Sequence, residues 1–95
     1  MEKYPAVYML ANKRNGFIYI GVTSNLPARI TQHKEDQADG FSSKYKTHSL
    51  VWYKYYDTMP EAICDEKRMK EWNRQWKIRL IETNNPYWND LSETI

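Results

Sequence analysis

Two short stretches decide the fold: Tyr-Pro-Ala-Val-Tyr-Met-Leu at residues 4–10 and Phe-Ile-Tyr-Ile-Gly-Val-Thr at residues 17–23. Both are rich in β-branched and aromatic residues and read as strands. Pro5 suits a strand start or an edge, where its missing N–H costs no ladder bond. Between them, residues 12–16 form a turn cluster, sharpest at Asn15-Gly16. The spacing predicts a hairpin. In an antiparallel pair, directly opposed residues have numbers with a constant sum. That sum is odd for a two-residue turn at Lys13-Arg14 or at Asn15-Gly16, so Tyr8 and Tyr19 share one face; a three-residue loop would undo this. Parity alone favours two core aromatics with hydrogen-bonded hydroxyls. Gly21, inside the second strand, marks a bulge or a close backbone approach.

Beyond the hairpin, Ser24 and Asn25 are good N-cap residues and Pro27 fits a first helical turn, so a helix is expected from residue 26 to about 35. Residues 36–49 are polar, with Gly40, Lys44, Tyr45, Lys46 and His48, and read as a basic loop. Residues 50–56 are aromatic and β-rich, a third strand. Thr58 and Glu61 make a T-x-x-E capping box with Pro60 inside the first turn, predicting a helix to about Trp72. Asn73 caps a further helix to about Thr83, which Asn84-Asn85-Pro86 stops. The order is β-β-α-β-α-α. The expected fold is mixed α/β (α+β), a small three-stranded sheet, at least partly antiparallel, with flanking helices.

The 95 residues fit one compact domain over 1–95. Eight Tyr and four Trp are many for so short a chain, and their polar tips suit a boundary or a site. The net charge of +2 does not by itself demand nucleic acid. Its distribution is uneven: residues 1–57 carry eight Lys/Arg against five Asp/Glu, and residues 58–95 carry six against seven. Cys64 is the single cysteine, which excludes an internal disulfide and a multi-cysteine zinc site. A reducing, cytoplasmic setting is the expectation. The start of the chain has no secretory pattern, and no apolar run approaches bilayer length, so no membrane partner is expected.

Polar groups on faces that should be apolar carry the chemical information. In the first helix Leu26, Arg29, Ile30 and His33 fall on one stripe at about 100° per residue. Arg29 and His33 flank it one turn apart and can reach the same place, although spacing alone favours a snorkelling Arg and a partly satisfied His. In the second helix Ala62, Glu66 and Met69 share a face. Pairing of Glu66 with Lys70 at i,i+4 explains that carboxylate as well as a metal ligand does. One carboxylate with waters and a substrate phosphate would suit magnesium. Other patterns point to ordinary structure. Cys64 has no evident base partner, and no Gly-rich phosphate loop is present. Trp72 and Trp76 read as core rather than as a base-stacking platform. Residues 67–79, with six positive groups and only Glu71 negative, read as a solvated face.

Ala6-Val7-Tyr8 and, after ten intervening residues, Tyr19-Ile20-Gly21 resemble the paired motif of the GIY-YIG endonucleases. Arg29 and His33 stand where that family has a helix-borne Arg and often a His, and Glu66 at its metal-binding Glu. Glu-Lys-x-Met-Lys-x-Trp at residues 66–72 and Asn-Pro-x-Trp at 85–88 look like the small stand-alone bacterial members, related to the cleavage domain of the nucleotide-excision nuclease. Ala6 replaces the motif glycine and Val7 its isoleucine, so the backbone at position 6 must accommodate a methyl group. Asn85 and Asn89 are both plausible as the family's C-terminal Asn, with Asn73 a weaker choice because it reads as a helix cap.

The resemblance implies metal-dependent phosphodiester hydrolysis. Glu66 would hold Mg2+ (or Mn2+), Arg29 would neutralise the phosphate, and Tyr8, Tyr19 and His33 would handle the proton of the attacking water. The expected partner is nucleic acid, DNA foremost, in repair or recombination, touched by Lys44, Tyr45, Lys46 and Lys70. Homodimerisation or an accessory protein would supply targeting. The competing expectations are a catalytically weak nucleic-acid-binding module of the same fold and a protein-interaction domain.

Overall fold

The computed structural model describes residues 4–35 and 49–95. The loop residues Lys44, Tyr45, Lys46 and His48 lie outside the described residues. Three strands, β1 (Ala6–Ala11), β2 (Ile18–Thr23) and β3 (Ser49–Tyr55), form one sheet of order β2-β1-β3. Both pairings are antiparallel, which sharpens the expectation of a partly antiparallel sheet. Helices α1 (Leu26–Glu35), α2 (Met59–Lys70) and α3 (Arg74–Asn84) follow the expected order, and a short 3-10 turn, Ser92–Thr94, comes last.

The local signals act as their chemistry dictates. Asn25 Oδ1 accepts from the Ala28 N–H at 3.3 Å at the start of α1. Thr58 Oγ1 accepts from the Glu61 N–H at 3.4 Å, and Asn73 Oδ1 accepts from the Trp76 N–H at 3.0 Å. Each satisfies a donor that the first helical turn leaves orphaned. Helix α2 stops at Lys70, short of Trp72, because Asn73 restarts the chain as a new cap.

The hairpin differs from expectation in its turn but not in its parity. Its connection runs over residues 12–17, and the register pairs Tyr8 with Gly21 and Leu10 with Tyr19. An even-numbered loop keeps the odd sum, so Tyr8, Gly21 and Tyr19 share a face. Within the loop the Gly16 N–H donates to Lys13 O at 2.9 Å, and Asn15 takes the left-handed φ of 59° that Asn tolerates. Arg74, at the start of α3, clasps the turn by donating to Asn15 O and Gly16 O, each at 2.6 Å.

Two hydrophobic layers sandwich the sheet. On one face Ala6, Tyr8 and Leu10 pack with Leu26 and Ile30 of α1 and with Leu50. On the other, Val7, Met9, Ala11 and Ile20 pack with Ala62 and Met69 of α2, Ile81 of α3 and Trp88. The methyl of Ala6 is fully buried in the first layer. A fully buried Leu, Ile or Met contributes about 1.5–3 kcal/mol, so these layers supply most of what a small domain has to spend.

The β1–β3 register slips between Met9, opposite Trp52, and Leu10, opposite Leu50. Val51 is the extra residue of this bulge, and both Val51 and Trp52 join the second layer. That is why Leu50, Val51 and Trp52 form an unbroken apolar run where an alternating pattern would be expected. One expectation fails outright: Trp76 is not core. It is 52% exposed, whereas Trp52 and Trp88 are 6% and 5% exposed. The buried side of α3 is taken by Ile81, with Ile78 and Leu80, like Trp72 before the helix, partly buried against the core.

Candidate active site

Tyr8 sits at the centre of the sheet and is 1% exposed. Its phenol end lies directly over Gly21 of the edge strand β2: a Cβ at Gly21 would come within 2.5 Å of Tyr8 Cζ and Oη. Gly21 therefore supplies the clearance that lets a buried tyrosine carry its hydroxyl out to the sheet edge. There the hydroxyl meets His33 of α1, with 3.1 Å between Tyr8 Oη and His33 Nε2. Tyr19 completes the group. Its ring centroid lies 6.2 Å from that of Tyr8 and 5.7 Å from that of His33, and the Tyr8 and His33 centroids are 5.9 Å apart. Three aromatic groups with polar tips, from β1, β2 and α1, thus converge above one sheet face.

Burial pushes the Tyr8 hydroxyl well above the usual tyrosine value, with Tyr19 and Glu66 adding to the rise and Arg29 opposing it. Tyr8 therefore stays protonated at neutral pH. Tyr8 Oη and His33 Nε2 share a hydrogen bond whose donor is set by the imidazole tautomer, and Tyr8 also bonds to Tyr19 through its hydroxyl. Arg29 is exposed on α1 and donates through Nη1 to Gln32 Oε1 at 3.2 Å, so Gln32 steadies the guanidinium. Gln32 is absent from the residues that the sequence singles out, although its i,i+3 spacing from Arg29 is the available signal.

Glu66 belongs to the helix of the opposite layer, and its charge acts on Tyr8. It lies on the buried face of α2 with Ala62 and Met69, and is 9% exposed. Its Oε2 accepts from Lys70 Nζ at 2.9 Å, the expected i,i+4 pair. Lys70, expected at a nucleic-acid contact, thus spends its charge on Glu66. Among the described residues no group of three His, Cys, Asp or Glu side chains gathers to cage a metal ion. The candidate donor set is one buried carboxylate, whose charge acts on Tyr8. That set fits a hard cation that keeps most of its waters and shares a substrate phosphate, and it does not fit a structural zinc.

Asn85 is committed to the fold. Its Nδ2 donates to Val51 O at 3.1 Å and to Asn89 O at 2.9 Å, and its Oδ1 accepts from the Asn89 N–H at 3.0 Å. The bulge leaves the Val51 carbonyl without a ladder partner, and the Asn85 amide fills that gap. Both amide protons of Asn85, one of the two asparagines expected as a possible addition to the site, are thus used within the fold. Asn89 is exposed and takes part in the same corner through its backbone.

A family model described as the GIY-YIG catalytic domain matches residues 4–79. Proteins described as UPF0213 proteins, from Staphylococcus aureus strains Mu3, Mu50 and N315, are each 31% identical to this chain over 68 residues, covering 72% of it and 83% of their own length. No solved structure matches the chain. Among the described residues no helix is long and apolar enough to cross a membrane.

Proposed function

The chain belongs to the GIY-YIG catalytic-domain family, a nuclease-type family, and on that premise we propose that it is a metal-dependent endonuclease hydrolysing phosphodiester bonds in DNA. The observation that carries this reading is the 3.1 Å contact between Tyr8 Oη and His33 Nε2 with Tyr19 beside both. A buried hydroxyl is costly in an apolar layer, and here it is bonded to the half-buried His33 with Tyr19 beside both.

Hydrolysis forms one P–O bond to water and breaks another to the leaving sugar oxygen, and the attacking water must lose a proton. Tyr8, held protonated, takes that proton on its oxygen only as its own passes to His33 Nε2, a transfer that requires the His33 tautomer with its proton on Nδ1. The two therefore act as a relay, with His33 as the resting place of the proton. Tyr19 orients the water. Arg29, exposed and without a carboxylate partner among the described residues, binds the scissile phosphate. Glu66 is the residue that would hold Mg2+ or Mn2+. Such an ion, when bound, supplies charge stabilisation at the phosphate and the leaving oxygen. A role in repair or recombination, with targeting by dimerisation or an accessory protein, belongs to the same proposal.

The test is nicking of supercoiled plasmid with and without magnesium, beside a Glu66→Gln variant of matched thermal stability. Nicking that needs the ion and disappears in the variant is the expected result. Full activity in the variant would refute the assignment. A second reading, a binding module without cleavage, has the Lys70–Glu66 ion pair on its side, since that pair gives the carboxylate a structural use. Salt-dependent DNA binding with no cleavage in either metal would select it.

A further inference from the structure

Among the described residues Trp76 is a large apolar side chain left 52% exposed. Its exposure costs hydrophobic burial that a small domain can ill spare. On α3 it shares one stripe with Arg79, Leu80 and Thr83 at i+3, i+4 and i+7. Trp72, one turn earlier in the chain, closes the end of that stripe. The two indoles meet edge to face, with centroids 6.1 Å apart and planes at 78°. Together these five residues line a surface notch of about 350 Å³, in the lower part of the roughly 300–1,000 Å³ range of small-ligand sites.

The charge of the notch selects its occupant. Arg79 is the sole charged residue of the lining. Its guanidinium has no carboxylate partner among the described residues, unlike Arg68, paired with Asp65, and Lys70, paired with Glu66. Glu82 lines the neighbouring depression on the other side of Arg79, with Gln75 and Ile78. An aromatic face beside an uncompensated guanidinium is complementary to a flat, electron-rich ring carrying a negative charge next to it. A nucleobase with its flanking phosphate has that chemistry.

We propose that the Trp72–Trp76–Arg79 notch takes a single unstacked base of a nucleic-acid strand, with Trp76 stacking on the base and Arg79 holding the adjacent phosphate. The proposal deepens the nuclease reading and rests on it for the identity of the polymer, yet it is independent of Tyr8, Arg29 and Glu66. It assigns the chain a preference for substrates with unpaired nucleotides over continuous duplex.

The probe is oligodeoxythymidylate added to the full chain in EDTA, where no cleavage occurs, read by tryptophan fluorescence. Trp52 and Trp88 are buried and serve as internal controls. Quenching of the exposed indole is expected. Trp76→Ala should weaken binding roughly 5- to 150-fold, the fold-change equivalent to about 1–3 kcal/mol of stacking per base. Trp76→Phe should restore most of the affinity, and Arg79→Gln should flatten the salt dependence. Equal affinity of Trp76→Ala and wild type, or equal binding of single-stranded and blunt duplex oligomers, overturns the proposal. So does a chain dimer that Trp76→Ala dissolves, since the notch would then be covered by a second copy. The two readings fail separately. Cleavage with an unaffected Trp76→Ala variant sinks the notch alone, whereas stacking without cleavage in magnesium sinks the nuclease assignment alone.

Discussion

Replacing Gly21 by alanine tests the geometry on which the candidate site depends. The added methyl would stand 2.5 Å from both Tyr8 Cζ and Oη and 3.0 Å from Cε1, so the ring must move. It cannot swing into solvent, because Tyr8 is 1% exposed and held between α1 and the sheet. Overpacking of this kind costs about 1–3 kcal/mol. For a domain of this length that lowers the melting temperature by about 5–20 °C. Any tilt that relieves the clash also lengthens the 3.1 Å contact to His33. The assay is thermal unfolding of a double-mutant cycle with Tyr8→Leu, a side chain that lacks the atoms the new methyl would strike. Gly21→Ala should cost its full penalty beside Tyr8 and almost nothing beside Leu, a coupling of about 1–3 kcal/mol. If the cost is the same in both backgrounds, Tyr8 does not rest on Gly21 and the account of how its hydroxyl reaches the rim is wrong.

Three further outcomes follow from the same structure. Arg29→Ala should leave stability within about 0.5 kcal/mol of wild type, as an exposed substitution does. It should nevertheless lower DNA cleavage by about 100- to 1,000-fold, the usual effect of removing one group that stabilises transition-state charge, measured under single-turnover conditions. Asn85→Ala strands the Val51 carbonyl and the Asn89 backbone, at about 1–3 kcal/mol for a buried group left unsatisfied, so its urea midpoint should fall without any selective effect on catalysis. Above about pH 10 the unfolded chain loses its tyrosine protons. Folded Tyr56 holds its own to higher pH, because burial and its 2.6 Å bond to Asp65 both push its hydroxyl up. The unfolded state then binds fewer protons, so stability is constant below that range and falls as pH rises through it. Denaturant titrations should show a shallower fall in Tyr56→Phe, the remainder belonging to Tyr8 and Tyr55, which shift the same way.

Much of this arrangement is legible in the sequence because it rests on short-range rules. Asn25, Thr58 and Asn73 mark helix starts by an interaction that spans three residues, and strand alternation puts Tyr8 and Tyr19 together for any even loop. Their common face therefore holds even though the turn is longer than the two residues expected. What the sequence hides depends on distant partners. The bulge at Val51 is stabilised by Asn85, 34 positions away, so nothing local in residues 50–56 announces it, and Asn85 itself looks available for chemistry. The clasp of Arg74 on the hairpin turn spans 59 positions. Trp76 misleads because helical spacing gives the stripe but not which stripe faces the core, and Ile81 settles that only through the packed structure. The significance of Gly21 is visible as an exception to strand composition, but its cause, the phenol lying across it, is not.

The position of β1 between two partners has a consequence for motion. Every residue from Ala6 to Ala11 is buried, and the strand is paired on both sides. Its amides should exchange with deuterium only when the whole domain opens, whereas the outward-facing amides of edge strand β2 are released by smaller local fluctuations. Tyr8 and Tyr19 therefore belong to regions with different exchange lifetimes. Tyr8 is anchored in the slowest-opening segment and keeps its place as long as the protein is folded. Tyr19 rides on a strand that can breathe, so of the two hydroxyls one is fixed and the other can adjust its position.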